Sequence, residues 1–114
     1  MNCAVVAIDQ GDSNTISAVS DGGIVTIFNE IAPNGRYPSQ LFFGKDSVDF
    51  GSNAAAGGNR DPVNFVKNWK GFVGTEKIFV AGGVERTPLE MSAQMFSLVA
   101  EDVLVGINKK AEDV

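Results

Sequence analysis

The sequence predicts an α/β fold: an N-terminal β-meander, a small inserted β/α unit, and a long helix returning to pack on the meander. Three observations carry this. Residues 3–8, 15–20 and 24–28 are apolar runs of strand length, the first continuous and rich in β-branched residues, the second alternating. Asp21-Gly22-Gly23 joins the second run to the third as a tight hairpin. Thr87-Pro88-Leu89-Glu90 opens a helix with a capping box and Pro at its first position, and apolar residues continue to Gly106.

Taken in order, the continuous first run reads as a strand buried on both faces, and the alternating second as half-buried. Residues 29–39 form a loop with Pro33, Asn34-Gly35 and Pro38. Gln40–Phe43 and Ser47–Phe50 read as a second hairpin, turned at Gly44-Lys45-Asp46. Gly51–Arg60 is small and flexible, with one loose helical turn through Ala54-Ala55-Ala56. Asp61-Pro62 reads as an N-cap and first helical residue. The short helix that follows carries Val63, Val66 and Trp69 on one side and stops at Gly71. Trp69 reads as core. Lys77–Ala81 is a strand into Gly82-Gly83, with Val84–Arg86 returning. In the final helix Leu89, Ala93, Phe96, Ala100, Val103 and Ile107 make an apolar stripe. Met91, Met95 and Leu98 widen it, which predicts a packed core helix ending at Gly106.

Bulk properties remove several functions. The chain has 114 residues, one domain or part of one, with ordinary 44% hydrophobic content and no run approaching a membrane span. Met1-Asn2-Cys3 lacks the pattern of a signal peptide. The single cysteine, Cys3, reads as a small core residue and makes a reducing, cytoplasmic location the default. A net charge of −5, with no Lys or Arg before Arg36, argues against nucleic acid as partner. There is no histidine, which excludes Ser-His-Asp and Cys-His catalysis and the H-E-x-x-H zinc site. One Cys without His also excludes structural zinc. Chemistry here must run on carboxylates, amides, hydroxyls and a bound metal.

The candidate site is Ile8-Asp9-Gln10-Gly11-Asp12-Ser13-Asn14-Thr15, a polar turn between two strands. Such a tip can gather backbone N–H groups into a concave nest, which binds anions and above all phosphate. Asp9, ending the first strand, could hold a hydrated Mg²⁺, which favours oxygen ligands and keeps most of its waters. The same residues fit a plain hairpin turn whose Asp and Asn bond their own backbone. The residues alone leave both readings open.

The order strand, D-x-G-x-x-N, strand, hairpin strand, then R-x-P-S, F-G, D-P and K-x-x-x-G resembles the nucleotide-binding domain of the seventy-kilodalton heat-shock (DnaK-like) chaperones. Asp9 to Asn14 sits where that family has its first phosphate loop. Asn34-Gly35-Arg36-Tyr37-Pro38-Ser39 looks like its N-R-x-x-P-S, one residue shorter. Phe50-Gly51, Asp61-Pro62-Val63-Asn64 and Lys70-Gly71-Phe72-Val73-Gly74 look like its V-G, N-P-x-N and K-R-L-I-G. The resemblance implies a partial actin-like ATPase (ribonuclease-H-like) lobe. Residues 1–39 would be the first part of subdomain IA, 40–86 a shortened inserted subdomain IB, and 87–114 the returning helix. It further implies ATP or ADP with Mg²⁺ in a full-length parent. Asp9, Gly11, Asp12, Ser13 and Asn14 would contact the nucleotide, with Asp9 as the metal residue. The remainder of the domain and co-chaperones would be partners, in protein folding and the stress response, with no nucleic acid and no membrane.

Two departures bear on chemistry. Asp12 stands where the family has threonine. A second carboxylate about 4 Å from a phosphate oxygen costs roughly 1 kcal/mol in water and up to about 4 kcal/mol in a partly buried site. By alignment the family's catalytic lysine falls at Ala55, and no Lys or Arg lies between Lys45 and Arg60. Losing a preorganised cation costs on the order of a hundredfold or more in rate, so hydrolysis is doubtful and the chain alone is expected to be inactive. The alternatives are a non-catalytic regulatory or interaction module of this family, or another actin-fold phosphotransferase such as a sugar or acetate kinase. Apolar surface on the meander and the long helix predicts self-association.

Overall fold

The computed structural model describes residues 4–27 and 36–114. The expectations at Cys3 and over 28–35, including Pro33 and Asn34-Gly35, lie outside the described residues.

The first sheet is antiparallel. β1 (Val5–Gln10) pairs β2 (Asn14–Asp21), with Asp9 opposite Ile16 and Gln10 opposite Thr15. On the other edge of β2, β3 (Ile24–Ile27) pairs its C-terminal half and β4 (Arg36–Pro38) its start. Gly22 and Gly23 take φ of 61° and 83°, the left-handed pair that a two-residue hairpin turn requires. β1 departs from the expected two-sided burial: Val5 is 59% exposed, while Val6 and Ile8 pack on the core. Only one face of β1 is covered by the final helix, so its continuous apolar run is half open to solvent.

A second sheet has the order β6-β5-β7, from β5 (Gln40–Phe43), β6 (Val48–Phe50) and β7 (Phe65–Lys67). Residues expected to be mostly flexible form α1 (Ser52–Arg60), a nine-residue helix packed on all three strands. Its glycines explain the close approach. A methyl at Gly57 would lie 2.4 Å from the Phe42 ring, and one at Gly58 2.6 Å from Phe65. The helix expected over 62–70 is not there. A single 3-10 turn, Pro62–Asn64, leads into β7, and a second, Lys70–Phe72, follows Trp69. Asp61 makes no side-chain cap; its carboxylate accepts from the Asn64 amide at 2.8 Å. Pairing of Phe65 and Val66 with β5 outweighs the Asp-Pro signal, because β-branched and aromatic residues gain more on a packed sheet edge.

β8 (Phe79–Ala81) and β9 (Val84–Arg86) form a separate hairpin. α2 (Pro88–Gly106) then crosses the first sheet. Thr87 Oγ accepts from the Glu90 N–H at 3.1 Å, and Glu90 Oε1 accepts from the Thr87 N–H at 2.9 Å, completing the capping box. Gly106 is the last helical residue rather than the terminator. Asn108 takes the left-handed φ of 55°, with Lys109 N–H on the Leu104 carbonyl and Asn108 N–H on that of Val105. The buried row is Met91, Met95, Val99 and Val103, whereas Leu89 (65%) and Phe96 (51%) face solvent. Glu90, Gln94, Ser97 and Glu101 form a polar stripe on the far side of α2, and the apolar arc is wider than the buried row, so the expected stripe sits at one edge of that arc.

One core joins the two larger sheets and α2 through Val19, Tyr37, Leu41, Phe43, Val66, Trp69 and the α2 row. Tyr37 ties β4 to α2, its hydroxyl donating to Asp102 Oδ2 at 2.7 Å. No helix among the described residues is long and apolar enough to cross a membrane.

Candidate functional site

The turn Gly11-Asp12-Ser13 between β1 and β2 is held by its carbonyls. The Ser13 carbonyl accepts from the Ser39 N–H at 2.9 Å, and that of Gly11 accepts from Ser39 Oγ at 2.9 Å. Ser39 Oγ also lies 2.9 Å from Thr15 Oγ1. A hydroxyl has one hydrogen, and that of Ser39 goes to Gly11, so Thr15 is the donor between the two. Thr15 and Ser39 are both buried, which makes this a fixed brace under the turn. The third tie is Lys70, whose Nζ donates to the Gln10 carbonyl at 2.8 Å.

The amides differ among themselves. Gly11 N–H donates to the Asn14 carbonyl at 2.9 Å, and a methyl at Gly11 would lie 2.8 Å from that oxygen. Glycine here is a requirement of the turn. Among the described residues no backbone carbonyl accepts from the Asp12 or Ser13 N–H. Two donors therefore remain for an outside acceptor, rather than the larger set the sequence suggested.

Asp9 sits on β1 with its side chain exposed, on the sheet face away from Val6 and Ile8. Asp12, Ser13 and Asn14 are exposed at the tip. The five sequence-derived residues therefore share one end of the first sheet. An apolar cleft lined by Val19, Asp21, Ile24, Thr26 and Ile107 lies at the opposite end of β2. No group of three or more His, Cys, Asp or Glu that could hold a metal occurs among the described residues. A magnesium ion needs less: it keeps several waters and takes one or two carboxylates together with phosphate oxygens. The exposed oxygens of Asp9 and Asp12 fit that donor chemistry.

Thr15 closes the candidate stretch read from the sequence, whereas Ser39 and Lys70 lie outside it. Ser39 closes the R-x-P-S motif and Lys70 opens K-x-x-x-G, so both stood in motifs already singled out. The resemblance places the family's cation at Ala55. Ala55 lies on α1 against the second sheet, and the ammonium that reaches the turn belongs to Lys70. The lack of a lysine in 51–60 is therefore no argument against chemistry at this turn.

No family model matches the sequence. It is 34% identical over 103 residues, 86% of this chain, to the chaperone protein DnaK of Cenarchaeum symbiosum. It is 31% identical over 88 residues, 76% of this chain, to chaperone protein HscA homologs from two strains of Shewanella baltica. The matched part is 14% of the HscA homologs and 16% of the DnaK chain, so this chain spans a small part of the relatives' length. Over most of its own length, the sequence is thus similar to part of the seventy-kilodalton heat-shock chaperones.

Proposed function

We propose that this chain is part of a chaperone-type nucleotide-binding domain and holds the phosphates of a magnesium nucleotide at the 9–14 turn. The observation that carries this reading is the turn itself. Its carbonyls are tied inward by Ser39 and Lys70, while the Asp12 and Ser13 amides are left for an anion. Similarity to DnaK and HscA homologs supports the same reading. Residues 1–39 and 87–114 would then be parts of one subdomain and 40–86 an insertion.

In this reading each group has a separate task. The Asp12 and Ser13 N–H groups donate to phosphate oxygens, and Ser13 Oγ and the Asn14 side chain add hydrogen bonds at the rim. Lys70 places a positive charge beside those oxygens, which offsets the repulsion from the Asp12 carboxylate. Asp9 would hold hydrated Mg²⁺, which supplies charge neutralisation to the phosphates when bound. Hydrolysis belongs to a longer parent protein, because one sheet end does not enclose a nucleotide; co-chaperones are partners of that parent. Self-association through Val5, Ile24, Val25, Leu89 and Phe96, all exposed, is part of the same proposal.

Titration of the ¹⁵N-labelled chain with MgATP tests it. Saturable shifts of the Asp12, Ser13 and Asn14 amides are expected. Shifts confined to other residues, or none at millimolar nucleotide, would overturn the assignment.

A further inference from the structure

Both sides of the Lys70–Gln10 contact are fastened to one residue of α2. The indole Nε1 of Trp69, the neighbour of Lys70, donates to Ser92 Oγ at 3.0 Å. The Gln10 side-chain amide donates to the Ser92 carbonyl at 3.0 Å. The Gln10 carbonyl in turn accepts from Lys70 Nζ at 2.8 Å. These bonds close a ring running Ser92, Trp69, Lys70, Gln10 and back to Ser92. Trp69 is buried in the core, so its ring cannot swing to another acceptor.

We infer that Ser92 is a positioning residue that sets the Lys70 ammonium at the turn through Trp69. The inference rests on the phosphate reading for its consequence in binding, though not for the geometry. Lysine carries four rotatable bonds, and an exposed ammonium on a loose turn would spread over many positions. Fixing the backbone just before it, from a helix that also fixes Gln10, narrows that spread before any ligand arrives. A preorganised charge binds an anion more tightly than one that must first be ordered.

The test uses Ser92→Ala, which deletes the hydroxyl and keeps the carbonyl that holds Gln10. Ser92→Thr keeps both. The first readout is the mobility of the Lys70 ammonium by ¹⁵N relaxation in the ligand-free chain. The second is affinity for magnesium tripolyphosphate. Ser92→Ala is expected to raise Lys70 mobility and weaken tripolyphosphate binding about three- to tenfold, the effect of one neutral hydrogen bond. Ser92→Thr is expected to restore both. Unchanged Lys70 mobility in Ser92→Ala would overturn the inference, as would failure of Thr to restore it. Raised mobility in a chain whose wild type binds no tripolyphosphate would support the positioning role and overturn the phosphate reading. If Ser92→Ala does not fold, Ser92→Cys keeps the side-chain volume nearly unchanged, replaces the hydroxyl by a weakly accepting thiol, and carries the same expected direction of both readouts.

Discussion

Lys70 Nζ lies 2.8 Å from the main-chain oxygen of Gln10, a contact between residues sixty apart in sequence. It brings the only cation bonded to the turn, among the described residues, from the 3-10 turn Lys70–Phe72. A hydrogen bond from a charged donor contributes about 1.5–3 kcal/mol. Lys70→Met is therefore expected to weaken magnesium tripolyphosphate binding by at least about tenfold. Lys70→Met also loses the bond to the Gln10 carbonyl, but that bond is solvent-exposed and screened, so the thermal unfolding midpoint should fall only slightly. Calorimetric titration beside a melting curve separates the two effects. A large drop in the midpoint with unchanged affinity would make Lys70 a structural tie instead.

How much of this was legible in the sequence depends on the distance over which each signal acts. Local signals hold: the Asp21-Gly22-Gly23 hairpin, the Thr87–Glu90 capping box and the polar turn at 11–13 are set by residues a few positions apart. The 62–70 segment misled because Asp61-Pro62 favours a helix locally, while the pairing of Val66 with Leu41 was not visible in the segment itself. The inward row of α2 misled because Leu89 and Phe96 are as apolar as Met91 and Val99, and only the sheet beneath decides which face turns in. The Lys70 contact was out of reach for a further reason. Its position follows from the β7 pairing and the Trp69–Ser92 bond, so an error over 62–70 carried through to the site.

Gly57 sets two effects against each other. Alanine in a helix interior is favoured over glycine by about 1 kcal/mol. Its methyl would lie 2.4–2.7 Å from three atoms of the Phe42 ring, which is buried on β5 and cannot give way freely. Overpacking of this kind costs about 1–3 kcal/mol, so the clash wins. Gly57→Ala is expected to lower stability by about 1 kcal/mol net in urea unfolding. Gly71→Ala, where a methyl meets nothing within 4 Å, is the control and should be near neutral. A stabilised Gly57→Ala would mean that α1 stands further from β5 than described.

Ser17 Oγ is buried on β2 and has no hydrogen-bond partner among the described residues. Its neighbours on the same strand behave otherwise: Thr15 is bonded to Ser39, and Val19 belongs in the core. A buried hydroxyl without a partner gives up its bonds to water for nothing, at about 1–3 kcal/mol. Ser17→Ala removes the hydroxyl at the cost of a small void. It is expected to be neutral or stabilising by up to about 1 kcal/mol, read from the urea midpoint. Clear destabilisation would show that the hydroxyl bonds an ordered water.

The start of α2 gives the chain a pH-sensitive element. The Thr87 N–H first, and then the Thr87 hydroxyl, hold the Glu90 carboxyl below its ordinary value of 4.5; slight desolvation opposes them and the Arg86 charge adds to them. A carboxyl with a lowered folded pKa binds protons less readily folded than unfolded, so ionisation favours the folded chain. That contribution is complete above the ordinary carboxylate range and disappears as pH falls below 4.5 toward the lowered folded value. Glu90→Gln keeps an oxygen for the Thr87 N–H but cannot ionise. Wild type should therefore exceed Glu90→Gln in stability at neutral pH, and the two should converge in acid. Thr87→Ala removes the cap itself and is expected to cost about 1 kcal/mol at neutral pH. Urea unfolding of the three proteins across the acid range checks both statements. A wild-type advantage that persists unchanged through strong acid would show that the Glu90 charge plays no part in holding the helix start.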